Sequence, residues 1–273
     1  QALAEENKAL TIIYSGNTYG KAKPCPTWGS KSSGGLARRA TIFKKVRNNE
    51  DFANKLFLAG GYEFNRPNQD NLNKEKSKKL LKVFKELNYD LGVLPRRQTD
   101  TFSGPEKKQI PEWIEQNDSI QTKTMDYQNH TVGILIFPSL KEQNTEKEFK
   151  KINRKIIQKA KSIRPQVNIL LGISTWGNSR ENKFLKNNPA VLDILLGSGR
   201  GPHITGNLFN KNQTVWARPL TKGKTLNQIT IPEWPEKGEK ITWQPNKNIM
   251  TNFIVLNNDI PADSEISAYL EGN

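Results

Sequence analysis

The sequence predicts a single α/β domain, and three observations carry that reading. Short apolar runs recur at Leu56-Phe57-Leu58, Ile134-Leu135-Ile136-Phe137, Ile169-Leu170-Leu171 and Val191 to Leu196. Most of the early runs end in a loop of small or polar residues and lead into an amphipathic helical segment, the rhythm of strand–loop–helix wrapping. From Gln213 onward the pattern turns to β, with no internal repeat and no linker that would mark a second domain. Residues 11–273 are therefore assigned to one domain, preceded by a polar lead-in over residues 1–10.

Taken in order, Thr11 to Tyr14 is β-prone and ends in Ser15-Gly16-Asn17-Thr18-Tyr19-Gly20, a loop placed where open α/β sheets hold ligands. A Gly-, Pro- and Ser-rich stretch follows, and its Pro24-Cys25-Pro26 denies the cysteine helical geometry. Leu36, Ala40, Phe43 and Val46 form a helical stripe. Leu56 to Ala59 reads as a strand, about Lys74 to Leu87 as a helix with Leu80, Leu81, Phe84 and Leu87 on one face, and Leu91 to Leu94 as a strand broken by Pro95-Arg96-Arg97-Gln98. The stretch from Phe102 to Asn129 gives no clear pattern.

Thr131 to Phe137 is a strand. Thr145-x-x-Glu148 is a capping box opening a helix through Ile163, with Phe149, Ile152, Ile156 and Ala160 inward. Strands follow at Asn168 to Ile173 and Leu192 to Leu196, around a short helix near Glu181 to Lys186. Further strands are read at Thr214 to Ala217, Leu226 to Ile231 and Phe253 to Leu256. Trp234 and Trp243, set among Pro232, Pro235 and Pro245, read as a surface-hugging connection, and His130 as a surface turn residue.

The net charge of +15 is read either as lysines spread over solvated faces or as a match to anionic partners, among which an acidic protein suits the surface. Nucleic acid is not expected, because the lysines are scattered and no aromatic RNA-binding motif or zinc-finger spacing occurs. No apolar run approaches the roughly 20 residues of a membrane span. The single cysteine, Cys25, forms no intramolecular disulfide. Two readings stand for it: a reactive thiol or soft-metal or haem contact beside Lys21, Lys23 and Lys31, or a buried inert one. The chain begins at Gln1, from which we expect a removed secretory signal and a periplasmic or otherwise exported protein.

Five strand-end loops, the helix phrase Gly34-Gly35-Leu36-Ala37-Arg38-Arg39-Ala40, Leu87-Asn88-Tyr89-Asp90, and the late Asn258-Asp259-Ile260-Pro261-Ala262-Asp263 together carry a resemblance. From about Thr11 to Leu270 the chain resembles the metal-dependent phosphoesterase domain of the 5′-nucleotidase and UDP-sugar hydrolase family, within the calcineurin-like superfamily. Cys25-Pro26-Thr27-Trp28-Gly29 is similar to a phrase of a divergent subgroup that includes selenoproteins. The resemblance implies an αββα sandwich of two mixed β-sheets flanked by helices, without the C-terminal substrate domain of full-length members.

It also implies a dinuclear metal site, and at every implied ligand position this sequence departs. Asn17 and Tyr19 stand for aspartate and histidine, Gly61 for the bridging aspartate, and Arg96 and Arg97 for asparagine and histidine. Thr175, Gly199 and Gly201 stand for the remaining histidines. Two-metal hydrolysis needs carboxylate and imidazole ligands holding both cations, and arginine repels them.

The expectation is a catalytically inactive member of the fold with no cofactor, acting as a binding or assembly component. A hydrolase with a rearranged site is the alternative. Arg96, Arg97, Arg200 and His203 are the candidate residues for a small anion or an acidic or redox (multihaem) protein partner. Against this stands the reading that the arginines are solvated or paired with Glu63 and Asp100, structural fillers of the former site. Trp28 and Trp176 are read as plugs of the emptied cleft or as part of a partner surface, the first being the simpler account.

Overall fold

Alternation builds this molecule. In the first strand Leu10, Ile12 and Tyr14 point to one side and Ile13 to the other, and all four are fully buried. Residues buried on both faces of a strand require cover on both faces, which a two-sheet sandwich with outer helices supplies. The computed structural model describes residues 9–27, 31–67, 74–99, 102–141 and 143–271.

Its elements begin with β1 (Leu10–Ser15), β2 (Cys25–Pro26), β3 (Ser32–Ser33), α1 (Leu36–Arg47), β4 (Asn54–Ala59), α2 (Lys74–Leu87) and β5 (Leu91–Leu94). The single-turn helices α3 (Arg96–Thr99) and α4 (Gly104–Lys107) lead to β6 (Trp113–Glu115), β7 (Gln121–Tyr127) and β8 (His130–Ile136). Next come α5 (Glu146–Ile163), β9 (Ile169–Ser174), α6 (Asn178–Asn187) and β10 (Ile194–Gly197). The chain continues through β11 (Ile204–Phe209), β12 (Thr214–Arg218), β13 (Thr225–Ile231), β14 (Met250–Val255) and α7 (Ser264–Glu271).

One sheet has the order β14-β13-β1-β4-β5-β6, the other β11-β12-β10-β9-β8-β7. Each contains four parallel strands, with antiparallel strands at one edge of the first (β13, β14) and both edges of the second (β11, β7). Leu56, Leu58, Ile134, Ile136, Ile169, Leu171, Ile194 and Leu196 meet between the sheets. The alternate residues turn outward: Phe57 joins α1, α2 and α7, while Leu135, Leu170 and Leu195 join α5 and α6. This is the αββα sandwich expected from the resemblance.

The capping box forms as read: Glu148 N–H donates to Thr145 Oγ1 at 3.2 Å and Thr145 N–H to Glu148 Oε2 at 2.7 Å. Several boundaries differ. β1 starts at Leu10, which pairs with Ile231 and Asn54, so the polar lead-in is one residue shorter. The short helix α6 starts at Asn178, three residues before Glu181, because Gly177 adopts a left-handed φ of 80° and turns the chain.

Two readings of the aromatic connection are corrected. Trp243 is buried in the inter-sheet core and its Nε1–H donates to the Asp193 carbonyl at 3.0 Å, so that segment closes the sandwich instead of hugging its surface. His130 opens β8 and stacks on Trp234, centroids 4.7 Å apart, so it is a packed residue rather than a turn residue.

Asp193, just before β10, pairs with Arg164 and accepts from the Leu170 N–H at 2.6 Å. Burial pushes its carboxyl from the ordinary 3.8 up to about 6, outweighing the pull of Arg164. The folded state then holds this proton more tightly than the unfolded chain, so stability falls as pH rises from 3.8 to about 6 and is level above that. The expected loss is about 3 kcal/mol at most. Urea midpoints measured between about pH 4 and about pH 7 should show this slope in the parent and a flatter one in Asp193→Asn. An unchanged slope in the variant contradicts the assignment.

Candidate functional site

The carboxyl ends of the parallel strands β1, β4, β5, β9, β10 and β12 converge at one end of the sandwich, and their loops form the floor of a cleft. Asn17 ties these loops together. It is fully buried at a left-handed φ of 57°, a conformation asparagine tolerates better than most residues. Its Oδ1 accepts from the Gly199 N–H at 2.7 Å and its Nδ2 donates to the Pro219 carbonyl at 3.3 Å. Its backbone N–H donates to the Gly61 carbonyl at 3.1 Å. The side chain is a strut between loops.

Gly61 is fixed by close approach. A Cβ there would lie 2.6 Å from Thr175 Cγ2, 3.0 Å from Pro95 Cγ and 3.1 Å from Ser198 Oγ. Its N–H donates to Ser198 Oγ at 3.0 Å. Thr175 and Gln116 bond to each other through hydroxyl and amide, and Gln116 Nε2 also donates to the Phe137 carbonyl at 2.8 Å. Gly199 takes φ +91° with its missing Cβ against the Thr175 carbonyl, and Gly201 is exposed on the same loop. Tyr19 is half-buried; burial raises its phenol, opposed by Arg218, Arg66 and Arg200.

Beneath the loops lie two buried ion pairs that sequence reading missed. Glu63 pairs with Arg39 at 3.1 Å and also receives the Ser15 and Thr18 hydroxyls, while Tyr89 bridges Ser15 and Arg39. Glu181 on α6 pairs with Arg218 at the end of β12 and accepts from Trp216 Nε1–H at 3.1 Å. Arg218 further donates to the carbonyls of Gly199 at 3.0 Å and Arg200 at 3.1 Å. Burial raises the Glu181 carboxyl even beside that guanidinium. These partners lie 24 residues apart in one pair and 37 in the other, so no local signal announces them.

The cleft itself, about 160 Å³, is lined by Arg66, Arg96, Arg97 and Arg200 together with Tyr62, Pro67, Pro95, Gln98, Gln116, Ser139, Leu140, Thr175 and Trp176. The structure thus gathers three of the candidate arginines and adds Arg66, which lay in an uninformative polar connection. The expected pairing with Glu63 is corrected, since Glu63 serves Arg39, and Arg96 pairs with Asp118 at the rim. Asp100 and Trp28 lie outside the described residues. Neither Arg66 nor Arg200 forms an ion pair among the described residues.

His203 does not line the cleft. It is half-buried against Phe253, ring centroids 4.8 Å apart, and burial lowers its pKa. Trp176 lines the cleft and packs on Phe137, Phe149 and Phe184, its Nε1–H donating to the Pro138 carbonyl at 2.7 Å. Cys25 is half-buried rather than sealed, in the β2–β3 hairpin opposite Ser33. It lines a groove with Lys21, Lys23, Lys76 and Lys79, on the side of α2 and α7.

Comparison with solved structures gives the fold its name. A 5′-nucleotidase precursor from Thermus thermophilus superposes with a TM-score of 0.71 at 15% identity, covering 97% of this chain and 58% of that one. Sulfate thiohydrolase SoxB of Thermus thermophilus gives 0.72 at 12% identity, over 96% and 60% of the two chains. The calcineurin-like phosphoesterase YfkN from Bacillus subtilis gives 0.63 at 13%, over 97% and 96%.

The fold is that of the calcineurin-like metallophosphoesterases. No protein-family model and no curated protein matches the sequence. The chain spans about three fifths of the length of the nucleotidase and SoxB structures.

For a metallophosphoesterase fold, the donor set at the strand ends is unusual. Among the described residues, no three His, Cys, Asp or Glu side chains come together where they could hold a metal ion. The cleft offers guanidinium groups, which repel cations, and Gly61 leaves no room for a ligating side chain. The residues present do not fit the dinuclear centre that the resemblance implies. Among the described residues, no helix is long and apolar enough to cross a membrane.

Proposed function

We propose that this metallophosphoesterase-fold protein has exchanged phosphoester hydrolysis for anion binding, and acts as a binding or assembly component. The observation that carries the reading is the convergence of Arg66, Arg96, Arg97 and Arg200 on one cleft at the strand ends. Guanidinium forks bind carboxylate or phosphate through charge-assisted, bidentate hydrogen bonds. Asp118 is the counter-charge to Arg96 at the rim, whereas Arg66 and Arg200 have no carboxylate ion-paired to them among the described residues.

The surface beyond the cleft supports an acidic protein as the source of that anion. After Glu148, the exposed face of α5 carries Lys150, Lys151, Arg154, Lys155, Lys159 and Lys161 with no acidic residue among them. None of these six takes part in an ion pair among the described residues. Such a field steers an acidic partner toward the molecule and weakens with salt.

Calorimetric titration with sodium phosphate at low ionic strength tests the anion site. Saturable binding is expected, and the Arg66→Ala/Arg200→Ala double variant should weaken it by about tenfold or more, since charge-assisted bonds contribute about 1.5–3 kcal/mol each. Failure of phosphate and of a short dicarboxylate alike to bind at millimolar concentration, or equal binding by the double variant, overturns the reading.

A further inference from the structure

We infer that the group this cleft takes is a carboxylate carried on a short aliphatic stem, and not an inorganic oxyanion or a nucleotide. The inference rests on the anion-binding reading and narrows it. Its basis is a cleft lining that mixes guanidinium groups with apolar side chains. Pro67, Pro95 and Leu140 are apolar, and both aromatic residues have their polar atoms engaged by protein carbonyls. Trp176 has its Nε1–H engaged by the Pro138 carbonyl, and Tyr62 donates its hydroxyl to the Thr175 carbonyl at 3.2 Å. Among the polar residues of the lining, Thr175 and Gln116 bond to each other. The charged donors of the cleft are its arginines, Arg66 and Arg200 foremost.

A tetrahedral dianion carries oxygen on every side. In this cleft some of those oxygens would face carbon and lose hydration without a replacement bond, which is costly. A carboxylate on methylenes places both oxygens against the guanidinium groups and its stem against the proline, leucine and indole surfaces. Volume supports the same choice. At about 160 Å³ the cleft is smaller than the roughly 300–1,000 Å³ of sites that enclose drug-sized ligands, so a whole nucleotide does not fit inside it. Two sources share this chemistry: a free short-chain carboxylic acid, and a glutamate or aspartate side chain of an acidic protein.

The test is a set of calorimetric titrations of the intact chain at one fixed ionic strength, using glutarate, phosphate, sulfate and a glutamate-rich peptide. Glutarate should bind at least about tenfold more tightly than phosphate or sulfate. A peptide that binds more tightly than glutarate assigns the site to a protein side chain; the reverse order assigns it to a free acid, and both support the inference. Leu140→Ser should weaken glutarate several-fold and leave phosphate unchanged, since only the stem touches that wall. Phosphate binding as tightly as glutarate overturns the inference while leaving the anion site standing. Failure of all four ligands to bind overturns both.

Discussion

Arg218→Ala is expected to lower folding stability by about 3–5 kcal/mol, because it leaves the Glu181 carboxylate buried without its countercharge. Both side chains are fully buried, and after the change Glu181 would keep only neutral donors such as the Trp216 indole N–H at 3.1 Å. The loss extends to the cleft. Arg218 holds the carbonyls of Gly199 and Arg200, so its removal also frees the loop that presents Arg200. Urea unfolding followed by circular dichroism measures the stability change. A paired replacement, Glu181→Leu with Arg218→Met, removes both charges and should recover most of the loss, since a buried ion pair is often no more stabilising than apolar residues of similar volume. If the two single changes simply add in the double variant, the coupling assigned to this pair is wrong.

Gly61→Asp is the second large effect. It places a carboxylate at the position where the resemblance implies a bridging ligand, and the prediction is that stability falls and no metal site appears. The Cβ alone meets Thr175 Cγ2 at 2.6 Å, so that side chain must shift, while Pro95 at 3.0 Å and Ser198 at 3.1 Å must each give slightly. Gly61→Ala isolates that overpacking, expected to cost about 1–3 kcal/mol. The aspartate adds the burial of a charge on a position already bonded through its backbone to Asn17 and Ser198. The total should exceed about 3 kcal/mol. Thermal unfolding and manganese titration of the two variants test this. A Gly61→Asp protein as stable as the parent that gains stoichiometric manganese would show that the loops can reopen and that the site is recoverable by one change.

The parts of this molecule that could be read from its sequence are those set by local periodicity. The in-and-out alternation of Leu56-Phe57-Leu58 and Ile134-Leu135-Ile136 placed strands, and Thr145 with Glu148 placed the start of α5. Elements whose reasons are tertiary were not legible. β7 is largely exposed and is defined by its ladder to β8, and the burial of Trp243 follows from a carbonyl 50 residues away. The site divides the same way. Strand-end positions of Arg96, Arg97 and Arg200 could be read because each lies within four residues of the end of an apolar run. Arg66, and the buried pairs Arg39–Glu63 and Arg218–Glu181, depend on which loops the sandwich brings together. His203 misled because closeness in sequence to Gly199 and Arg200 does not carry across the turn into β11, where the ring packs on Phe253.

Loss from these strand ends of the cations that phosphoester hydrolysis requires is the core of the proposed function. It is tested most directly by incubating the protein with manganese or zinc, removing unbound metal, and measuring metal content together with turnover of phosphomonoester and phosphodiester substrates. Substoichiometric metal and hydrolysis at the buffer background are predicted. Stoichiometric metal, with turnover that a chelator abolishes, contradicts the account.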